Sequence, residues 1–486
     1  MRRTSRRLTS IVTTLGPASS DEATLGAFAE RGVDVVRLNF AHGDPETHER
    51  TLRLVRRIWE DAGRFVSVLQ DLAGPKLRLR TPGGRPVTVA QGATIRLVRE
   101  LSGPAGPDAV ATTFPAIVDD CREGEPVLFG DGAVRTRVVG RSPDALALEA
   151  EDDGELADGM GVNLPETDLS AASMTEKDWR DLGWAVAHEV DFVGLSFVRR
   201  ADEVRAVKDR IAAAGGTTRV IAKIEKPQAV ENIDAILRES DGLMVARGDL
   251  GVEMDLARVP IIQKDLIRRA AAAGVPVITA TQMLQSMITE PSPTRAEVSD
   301  VANAVFDGSD AVMLSGETAV GKHPVRAVDM MGHIIDLAEE YATASEWPRP
   351  SGQAERYVWA ERAIALGASR IAKDLGVALV VALTHSGATA LLLSKQWLRV
   401  PILALSDRKE TCRQMALYRG IVPAYHPDLI RNEDLVCEIE RAALARKLVA
   451  AGDRILIISG QFPGQPGGTD TLRVHTVSCG HEGGTG

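Results

Sequence analysis

Residues 219–251 place one basic and two acidic side chains at the ends of two short β-rich runs. In the run RVIAKIE, Lys223 and Glu225 share one face through the two-residue period of a strand. The next run, DGLMVAR, ends just before Asp249, so the two carboxylates are expected at the ends of neighbouring parallel strands. Carboxylate oxygens in such a position are typical of sites for hard divalent cations. This stretch therefore predicts a metal site with a lysine beside it.

A second region of the chain adds a fixed cation and an amide to this set. Arg37 and Asn39 lie two positions apart in VDVVRLNF, which predicts that they share one face of a strand. The arginine fork matches the geometry of phosphate or carboxylate, so the site is suited to an anion held with a divalent metal. Structural ion pairs use the same residue types. The cluster by itself therefore leaves open whether these residues bind a ligand or form a structural ion-pair network.

Eight β-rich runs between positions 10 and 316 alternate with amphipathic segments, and all but one of the gaps suit a strand followed by a helix. Eight such units predict an α/β fold, the (β/α)8 TIM barrel. The runs are nearly continuous in apolar residues, so the polar residues at their carboxyl ends are expected to share one rim. The runs are SIVTTLG, VDVVRLNF, RFVSVLQD, VDFVGLSF, RVIAKIE, DGLMVAR, VPVITAT and DAVMLSG, and the rim residues are Arg37, Asn39, Asp71, Lys223, Glu225, Asp249, Thr281, Ser315 and Glu317.

Two further regions differ from the barrel pattern. The long gap after the third run opens with TPGGRP and contains short alternating pieces, VTVAQGATIRLV, VRTRVV and ALALEA, which predict a small inserted β-barrel able to close over the rim as a lid. After about position 341, the strand-like runs ALVVAL, PILAL, RILIIS and LRVHTV alternate with helical patterns and predict a C-terminal α/β domain. The predicted boundaries are 1–80 and 163–340 for the barrel, 81–162 for the lid and 341–486 for the third domain.

Composition excludes several classes of partner. The chain has 486 residues, a net charge of -10 and four scattered cysteines without a C-x-x-C pair, so general affinity for nucleic acid, a disulfide framework and a structural zinc site are not expected. No apolar run approaches the roughly 20 residues that cross a bilayer. The leader MRRTSRR has no apolar segment of a signal peptide. We therefore expect a cytoplasmic protein that binds neither nucleic acid nor membrane.

An ordered series of motifs extends along nearly the whole chain: VTTLGPAS, VRLNFAHG, DLAGPKLR, GVNLPETDL, MTEKD, SFVRR, AKIEKP, DGLMVARGDLGVEM, TATQMLQSMI, PTRAEVSDVANAVFDGSDAVMLSGETAVG and GGTDTLRVHTV. Together these motifs resemble the pyruvate kinase family. The resemblance implies the barrel, the lid and a regulatory role for the C-terminal domain. It also implies transfer of the phosphoryl group of phosphoenolpyruvate to ADP, which gives pyruvate and ATP in the last step of glycolysis, by a homotetramer.

The resemblance implies a role for each charged rim residue. Glu225 and Asp249 would hold an essential Mg2+ or Mn2+ ion. Lys223 would stabilise charge on the phosphoryl group in flight and on the enolate left behind, and Arg37 would bind phosphate. These roles agree with electrostatics, because phosphoryl transfer depends on positioning and charge neutralisation more than on covalent help.

The resemblance also assigns the uncharged positions of the rim. The amides of Gly248 and Asp249 would take the substrate carboxylate, and Thr281 would lie near the methylene carbon. Ser315 and Glu317 match the family's candidate proton relay, with an ordinary turn as the alternative for Ser315. The positions that contact nucleotide phosphates in relatives are held by Asn39, Phe40, Ala41, His42 and Arg78.

The chain departs from many relatives at the positions that bind K+ in the family. These positions are held by Asn39, Ala41, Asp71 and Leu72, and neither the alanine nor the leucine offers a side-chain oxygen. Lys76 in DLAGPKLR stands where K+-requiring relatives carry a glutamate, and its ammonium near Asp71 can supply the missing charge. We therefore predict an enzyme that does not require K+, with Asn39, Asp71 and Lys76 at the replaced cation site. A Lys76 side chain that points to solvent is the alternative.

Two other regions bear on ligand binding. In the lid, Gly130 and the pair Gly159-Met160 replace an acidic residue and a lysine common in relatives, which predicts altered nucleotide affinity or base preference. Residues 384–389, THSGAT, lie between a strand and a helix-like segment, a suitable position for a phosphate. The segment resembles the family's effector loop and predicts a site for a phosphorylated allosteric effector, with a plain helix N-cap as the alternative. The candidate residues are Thr384, Ser386, Gly387 and Thr389.

Two competing functions remain at this point. A metal-dependent barrel lyase acting on pyruvate or phosphoenolpyruvate would also stabilise an enolate with a metal and a lysine, but it would not need the lid or the nucleotide positions. A catalytically silent paralogue that binds metabolites would require the loss of a catalytic group. The expected catalytic groups are all present: Arg37, Lys223, Glu225, Asp249 and Thr281.

Overall fold

The computed structural model describes residues 7–101, 109–344, 359–427, 435–460 and 469–478. Within these ranges the chain forms a closed eight-stranded barrel, an inserted sheet-rich domain and a five-stranded C-terminal α/β domain, which confirms the predicted fold class. No helix in the described ranges is long and apolar enough to cross a membrane. The first six residues of the arginine-rich leader and Cys479 lie outside these ranges, as does most of the stretch between the barrel and the third domain.

The barrel begins with three strands separated by two amphipathic helices. Each helix starts after an aspartate whose side chain accepts a hydrogen bond from the backbone of the first turn: Asp21 from Thr24, and Asp44 from Thr47. The elements are β1 (Ser10–Leu15), α1 (Glu22–Glu30), β2 (Val35–Asn39), α2 (Pro45–Asp61) and β3 (Ser67–Asp71).

The inserted domain follows β3 and is built around one mostly antiparallel seven-stranded sheet. Backbone hydrogen bonds join Leu79 to Gly159 and Met160, and Arg78 forms a bridge with Gly161, so the two outer strands of the sheet meet and the sheet curls back on itself. Buried apolar side chains fill its interior. The elements are β4 (Leu79–Arg80), β5 (Val87–Val89), β6 (Thr94–Val98), β7 (Ala109–Thr112), α3 (Ile117–Asp120), β8 (Pro126–Phe129), β9 (Val134–Arg141), β10 (Ala145–Ala150), β11 (Gly154–Leu156) and β12 (Val162–Asn163).

The chain then returns to complete the barrel, and all eight predicted runs form its parallel strands in the order β1-β17-β16-β15-β14-β13-β3-β2. The register places Asn39 opposite Asp71 and Lys223 opposite Met244, which brings the carboxyl ends of the strands to one rim. The elements are α4 (Glu176–Ala187), β13 (Phe192–Leu195), α5 (Ala201–Ala213), β14 (Arg219–Ile224), α6 (Pro227–Glu231), α7 (Ile233–Glu239), β15 (Gly242–Ala246), α8 (Arg247–Glu253), α9 (Val259–Ala273), β16 (Val277–Ala280), α10 (Arg295–Asp307), β17 (Ala311–Leu314), α11 (Gly316–Ala319) and α12 (Pro324–Ala344).

The C-terminal sheet has the order β20-β19-β18-β21-β22, and its last strand is antiparallel to its neighbour. The sequence analysis predicts four of these strands and misses β20. Pro423 lies inside β20 and weakens its sequence signal, but β20 is an edge strand, where proline is tolerated. The elements are α13 (Trp359–Leu375), β18 (Leu379–Leu383), α14 (Ala388–Ser394), β19 (Ile402–Ser406), α15 (Lys409–Met415), β20 (Ile421–Tyr425), α16 (Leu435–Ala445), β21 (Arg454–Gly460) and β22 (Thr469–Thr476).

Two buried ion pairs fix this domain against the amino ends of the barrel strands. Arg413 pairs with Asp191 at 2.8 Å, and Lys395 pairs with Asp310. Each aspartate also accepts a backbone N–H from a neighbouring barrel strand. The C-terminal domain therefore contacts the end of the barrel opposite the polar rim.

Candidate active site

A buried cluster of charges lies at the rim around Lys223. Its Nζ atom is 2.9 Å from Glu225 Oε1 and 3.1 Å from Asp71 Oδ1, and it donates a hydrogen bond of 2.6 Å to Ser196 Oγ. The parallel strands β3, β13 and β14 end at this rim and bring these four side chains together. Lys223 is therefore in direct contact with two of the predicted rim carboxylates, Asp71 and Glu225.

Electrostatics keep this lysine charged. Burial disfavours its ammonium, but the carboxylates of Asp71 and Glu225 outweigh burial and raise the pKa of Lys223. Burial would also raise the pKa of Asp71, yet Lys223 and Arg37 outweigh it and lower that pKa. For Glu225 the balance differs, because burial and the nearby charge of Asp249 raise its pKa against the opposing effect of Lys223. Burial thus disfavours the charged form of Glu225, and a cation bound beside it would favour that form.

Arg37 is held in a fixed orientation beside this cluster. Its Nε and Nη2 atoms lie 2.7 Å and 2.6 Å from Asp71 Oδ2, and its Nη1 atom donates to Thr14 Oγ1 at 3.0 Å. Three strands, β1, β2 and β3, contribute to this arrangement. An anion that binds here meets a guanidinium that needs little reorganisation.

The carboxylates suit a divalent cation. Asp249 lies in the first turn of α8, is exposed, and makes no hydrogen bond or ion pair with any residue that the structure describes. Its charge acts on Glu225, whose Oε2 atom accepts the backbone N–H of Phe197 at 2.6 Å. No cluster of three or more His, Cys, Asp or Glu side chains suited to a metal occurs among the described residues. Two carboxylate ligands with the remaining positions left to substrate and water are typical of Mg2+ sites.

A strained turn after β16 lies beside the start of α8. Thr281 has a φ of +66° and Gln282 a φ of +55°, both in the left-handed region that non-glycine residues rarely adopt. Thr281 Oγ1 accepts the backbone N–H of Gly248 at 2.7 Å, and Arg247 Nη2 donates to the carbonyls of Thr281 and Gln282 at 2.9 Å and 3.3 Å. Strained residues fixed in this way are concentrated at functional sites.

Ser315 and Glu317 lie at the end of β17. Glu317 is fully buried, and its carboxylate accepts the backbone N–H groups of Leu284 at 3.0 Å and Ser315 at 2.7 Å. Ser315 Oγ is buried without a hydrogen-bond partner among the described residues. The carboxylate of Glu317 thus holds two loops at the rim, and a role in proton transfer remains a prediction.

The predicted nucleotide positions differ in accessibility. Asn39 Oδ1 accepts the backbone N–H of Ala41 at 3.1 Å, and the side chain of Phe40 is only 3% exposed, so a ligand can reach little of this residue. His42 and Arg78 are exposed. Arg78 precedes the first lid strand, so it lies where the lid joins the barrel.

Lys76 lies at the mouth of the site. The pKa of Lys76 falls below its usual value, because partial burial and the positive charges of Arg78 and Lys223 outweigh the attraction of Asp249 and Asp71. Lys76 is nonetheless exposed and makes no close ion pair with a described carboxylate, so its charge acts on the rim cluster from a distance.

The predicted effector loop adjoins the barrel. Thr384 Oγ1 accepts the backbone N–H of Gly387 at 2.9 Å, and this glycine has a φ of +84° just before α14. The hydroxyl of Thr389 contacts the last strand of the sheet. The carbonyl of Ser386 accepts a hydrogen bond of 2.8 Å from Arg219, the first residue of β14. The loop is therefore linked directly to the strand that carries Lys223.

Sequence reasoning missed two hydroxyl groups of the site. Thr14 and Ser196 are both 2% exposed and bind the side chains of Arg37 and Lys223, respectively. Each lies near the carboxyl end of a predicted run, Thr14 in SIVTTLG and Ser196 in VDFVGLSF. This position is the same signal that identified Thr281.

Comparisons with known proteins identify the family of this chain. The family models "Pyruvate kinase, barrel domain" and "Pyruvate kinase, alpha/beta domain" match residues 6–328 and 362–475. The chain is 40% identical to a pyruvate kinase of Mycobacterium intracellulare over 468 residues, which cover 96% of this chain and 98% of the relative. It is 38% identical to a pyruvate kinase of Geobacillus stearothermophilus over 477 residues, which cover 97% and 81%.

A solved structure shows the same similarity in three dimensions. The crystal structure of a pyruvate kinase from Cryptosporidium parvum superposes with a TM-score of 0.90 at 31% identity and covers 97% of this chain and 96% of that one. The chain belongs to the pyruvate kinase family, the phosphotransferases that convert phosphoenolpyruvate and ADP to pyruvate and ATP.

Proposed function

We propose that the rim site transfers the phosphoryl group with Lys223 beside it, with Glu225 and Asp249 as ligands of Mg2+ or Mn2+, and without a requirement for K+. The observation that carries this proposal is the charged lysine held within 3.1 Å of both Asp71 and Glu225. Phosphoryl transfer needs positioned charge far more than covalent catalysis, and a fixed ammonium in a buried cluster supplies it.

Each charged residue then has a defined task. Arg37, fixed by Asp71 and Thr14, binds the phosphate of phosphoenolpyruvate. Lys223 compensates negative charge on the phosphoryl group during transfer and on the enolate that remains. A divalent cation bound by Glu225 and Asp249 would neutralise the substrate's carboxylate and phosphate oxygens.

The uncharged groups orient the substrate. The start of α8 at Gly248 and Asp249 offers backbone N–H groups to the substrate carboxylate. Thr281, tied to Gly248 by a hydrogen bond of 2.7 Å, lies beside them. Protonation of the enolate is assigned to the segment of Ser315 and Glu317. Because both carboxylate oxygens of Glu317 accept backbone N–H groups, we assign it the role of positioning that segment.

Independence of K+ is supported by the oxygen atoms of the replaced site. Asn39 Oδ1 accepts a backbone N–H from Ala41, and the Leu72 carbonyl accepts a hydrogen bond of 2.8 Å from Ser196. The carboxylate of Asp71 contacts Arg37 and Lys223. A K+ ion would therefore compete with existing partners, whereas the ammonium of Lys76 already contributes positive charge.

Regulation and assembly complete the proposal. The loop containing Thr384, Ser386, Gly387 and Thr389 is proposed to bind a phosphorylated effector, and its link to Arg219 offers a route to β14. A homotetrameric assembly, a cytoplasmic location and the domain boundaries 1–80 with 163–340, 81–162 and 341–486 are proposed on the family resemblance and the residue patterns.

One coupled assay tests the proposed function. Pyruvate formation from phosphoenolpyruvate and Mg2+ is measured with and without ADP, and we expect turnover only when ADP is present. Pyruvate release that is independent of ADP would instead indicate a lyase or phosphatase. Absence of turnover in both reactions would indicate a silent metabolite-binding protein.

A further inference from the structure

We propose that a cavity between the barrel and the C-terminal domain binds a small metabolite through a phosphate or carboxylate group, with Arg419 as its anchor. The cavity has a volume of about 650 Å³. Its walls come from α12 on the barrel side and from α13, the segment after α14 and Arg419 on the other side. Lys395, in the same segment, pairs with Asp310 just before β17, so the cavity lies near the end of the barrel opposite the catalytic rim.

Arg419 is a buried cation that has no polar partner within the described part of the chain. It is 7% exposed, lines the cavity, and its guanidinium makes no hydrogen bond or ion pair with any described residue. It stacks on the ring of Trp397 at 4.6 Å, which leaves its N–H groups free. By contrast, the comparably buried Arg199 and Arg247 each bind both a carboxylate and a carbonyl oxygen. A buried guanidinium with five unused donors requires an acceptor.

The nearest acidic groups do not provide that acceptor. Glu339 accepts hydrogen bonds from the backbone of Leu8 and Thr9, and Asp310 is paired with Lys395. Although both carboxylates attract the charge of Arg419, burial outweighs them and lowers its pKa below the usual value. The positive charge of Arg419 is therefore incompletely compensated.

The remaining lining fits an anionic ligand of metabolite size. Lys373 and Gln396 add a cation and an amide around the cavity, and Trp397 and Leu398 provide apolar surface. Glu339 also lines the cavity, but its carboxylate oxygens already accept the backbone N–H groups of Leu8 and Thr9. The volume lies within the range of about 300–1,000 Å³ that is common for small-molecule sites. Because Arg419 is the buried cation, it is expected to bind the anionic group of the ligand. The rest of the ligand would contact the other lining residues.

Thermal unfolding in inorganic phosphate and, separately, in malonate tests this site, with chloride at matched ionic strength as the reference. We expect at least one anion to raise the midpoint of the wild type, and the Arg419→Met variant to bind it at least about tenfold more weakly. Arg419→Lys, which keeps the charge but not the fork, should be intermediate. Arg370→Met, on the exposed surface of α13 and paired with Asp374, serves as the matched control and should behave as the wild type.

Comparison of phosphate with malonate shows whether the cavity prefers a phosphate or a carboxylate group. Phosphate can also bind at the catalytic rim, and this binding is the same in the wild type and the three variants. Only the part of the shift that depends on Arg419 therefore reports the cavity. In chloride, Arg419→Met should unfold at a midpoint equal to or above that of the wild type, because an uncompensated buried charge is removed. A lower midpoint in chloride, equal anion responses in wild type and Arg419→Met, or no response to either anion would overturn the proposal.

Discussion

At the scale of single residues, the rim site is a balance of cations and carboxylates. Lys223 contacts Asp71 and Glu225, and the same Asp71 holds Arg37. Asp249 remains without a hydrogen bond or ion pair in the described structure. Asp71 therefore contacts two cations, whereas Glu225 contacts one and Asp249 none in the described structure, so the last two carboxylates are the ones suited to a divalent ion.

Replacement of Lys223 by methionine separates catalysis from metal binding. We expect Lys223→Met to lower kcat by about 1,000-fold, because a preorganised charge is lost at the transferring group. Binding of Mn2+, measured by titration, should change only a few-fold, since Glu225 and Asp249 are unchanged. Lys264→Met, at an exposed lysine on α9, is the matched control. Turnover near the wild-type rate would contradict the role given to Lys223.

The lowered pKa of Lys76 predicts a pH dependence of activity. A lysine whose pKa is lowered loses its proton earlier as the pH rises, so the positive charge of Lys76 disappears below the range of an ordinary lysine. The rate should therefore decline on the alkaline side. In Lys76→Arg the guanidinium stays charged, and the decline should move to higher pH. Alkaline profiles that coincide for the two proteins would argue against this assignment.

At the scale of elements, the carboxyl ends of the barrel strands carry the site residues. A buried ion pair next to the site is hydrogen-bonded to the lid. Asn163 of β12 donates to Glu253 of α8 at 2.9 Å, and Lys226 donates to the same carboxylate at 2.7 Å. Lys226 directly precedes α6 and follows Glu225 in the chain. The last lid strand is thus connected to the segments that follow Glu225 and Asp249, the carboxylates proposed to bind the metal.

Loss of the cation from this pair should destabilise the protein. The side chains of Lys226 and Glu253 are 9% and 2% exposed, so Lys226→Met leaves a buried carboxylate without its counter-charge. We expect the free energy of unfolding in urea to fall by about 3 kcal/mol. Lys409→Met, which breaks an exposed pair with Glu60, should change it by less than about 1 kcal/mol. Equal effects of the two substitutions would contradict the structural importance of the pair.

The same scale explains what the sequence could predict. The eight barrel strands were identified because strands buried on both faces leave long apolar runs with polar residues only at their ends. Several lid strands of two to four residues, such as β4 and β12, were not identified, since a run this short carries no clear alternation. Ser196 and Thr14 lie near the ends of apolar runs, as Thr281 does, but the sequence does not show which of these hydroxyl groups contacts a charged side chain. Their function depends on contacts with Lys223 and Arg37 from other strands, which only the folded register reveals.

At the scale of the whole molecule, the C-terminal domain provides cations for the barrel. Asp191 and Asp310 are buried at the amino ends of barrel strands, and Arg413 and Lys395 of the other domain pair with them. Neither aspartate has an equally close cation from the barrel itself among the described ion pairs. Stability of the barrel and docking of the third domain are therefore coupled.

Replacement of Lys395 by methionine tests this coupling. The change leaves Asp310, which is 3% exposed, without its ion-pair partner. We expect the free energy of unfolding to fall by about 3 kcal/mol, and calorimetry to resolve separate transitions for the two domains. Lys409→Met is the matched control, because Lys409 is 58% exposed and lies 3.6 Å from Glu60 of the barrel. A single transition with wild-type stability would show that the pair does not couple the domains.

The central claim is that the rim site obtains its positive charge from Arg37, Lys76 and Lys223 without a monovalent ion. The most direct measurement is the initial rate of pyruvate formation with phosphoenolpyruvate, ADP and Mg2+ when K+ is replaced by tetramethylammonium at equal ionic strength. We predict that the wild type keeps most of its rate, and that Lys76→Glu loses activity in tetramethylammonium and recovers part of it with K+. A wild-type rate that falls to near background in tetramethylammonium and returns with K+ would contradict the account.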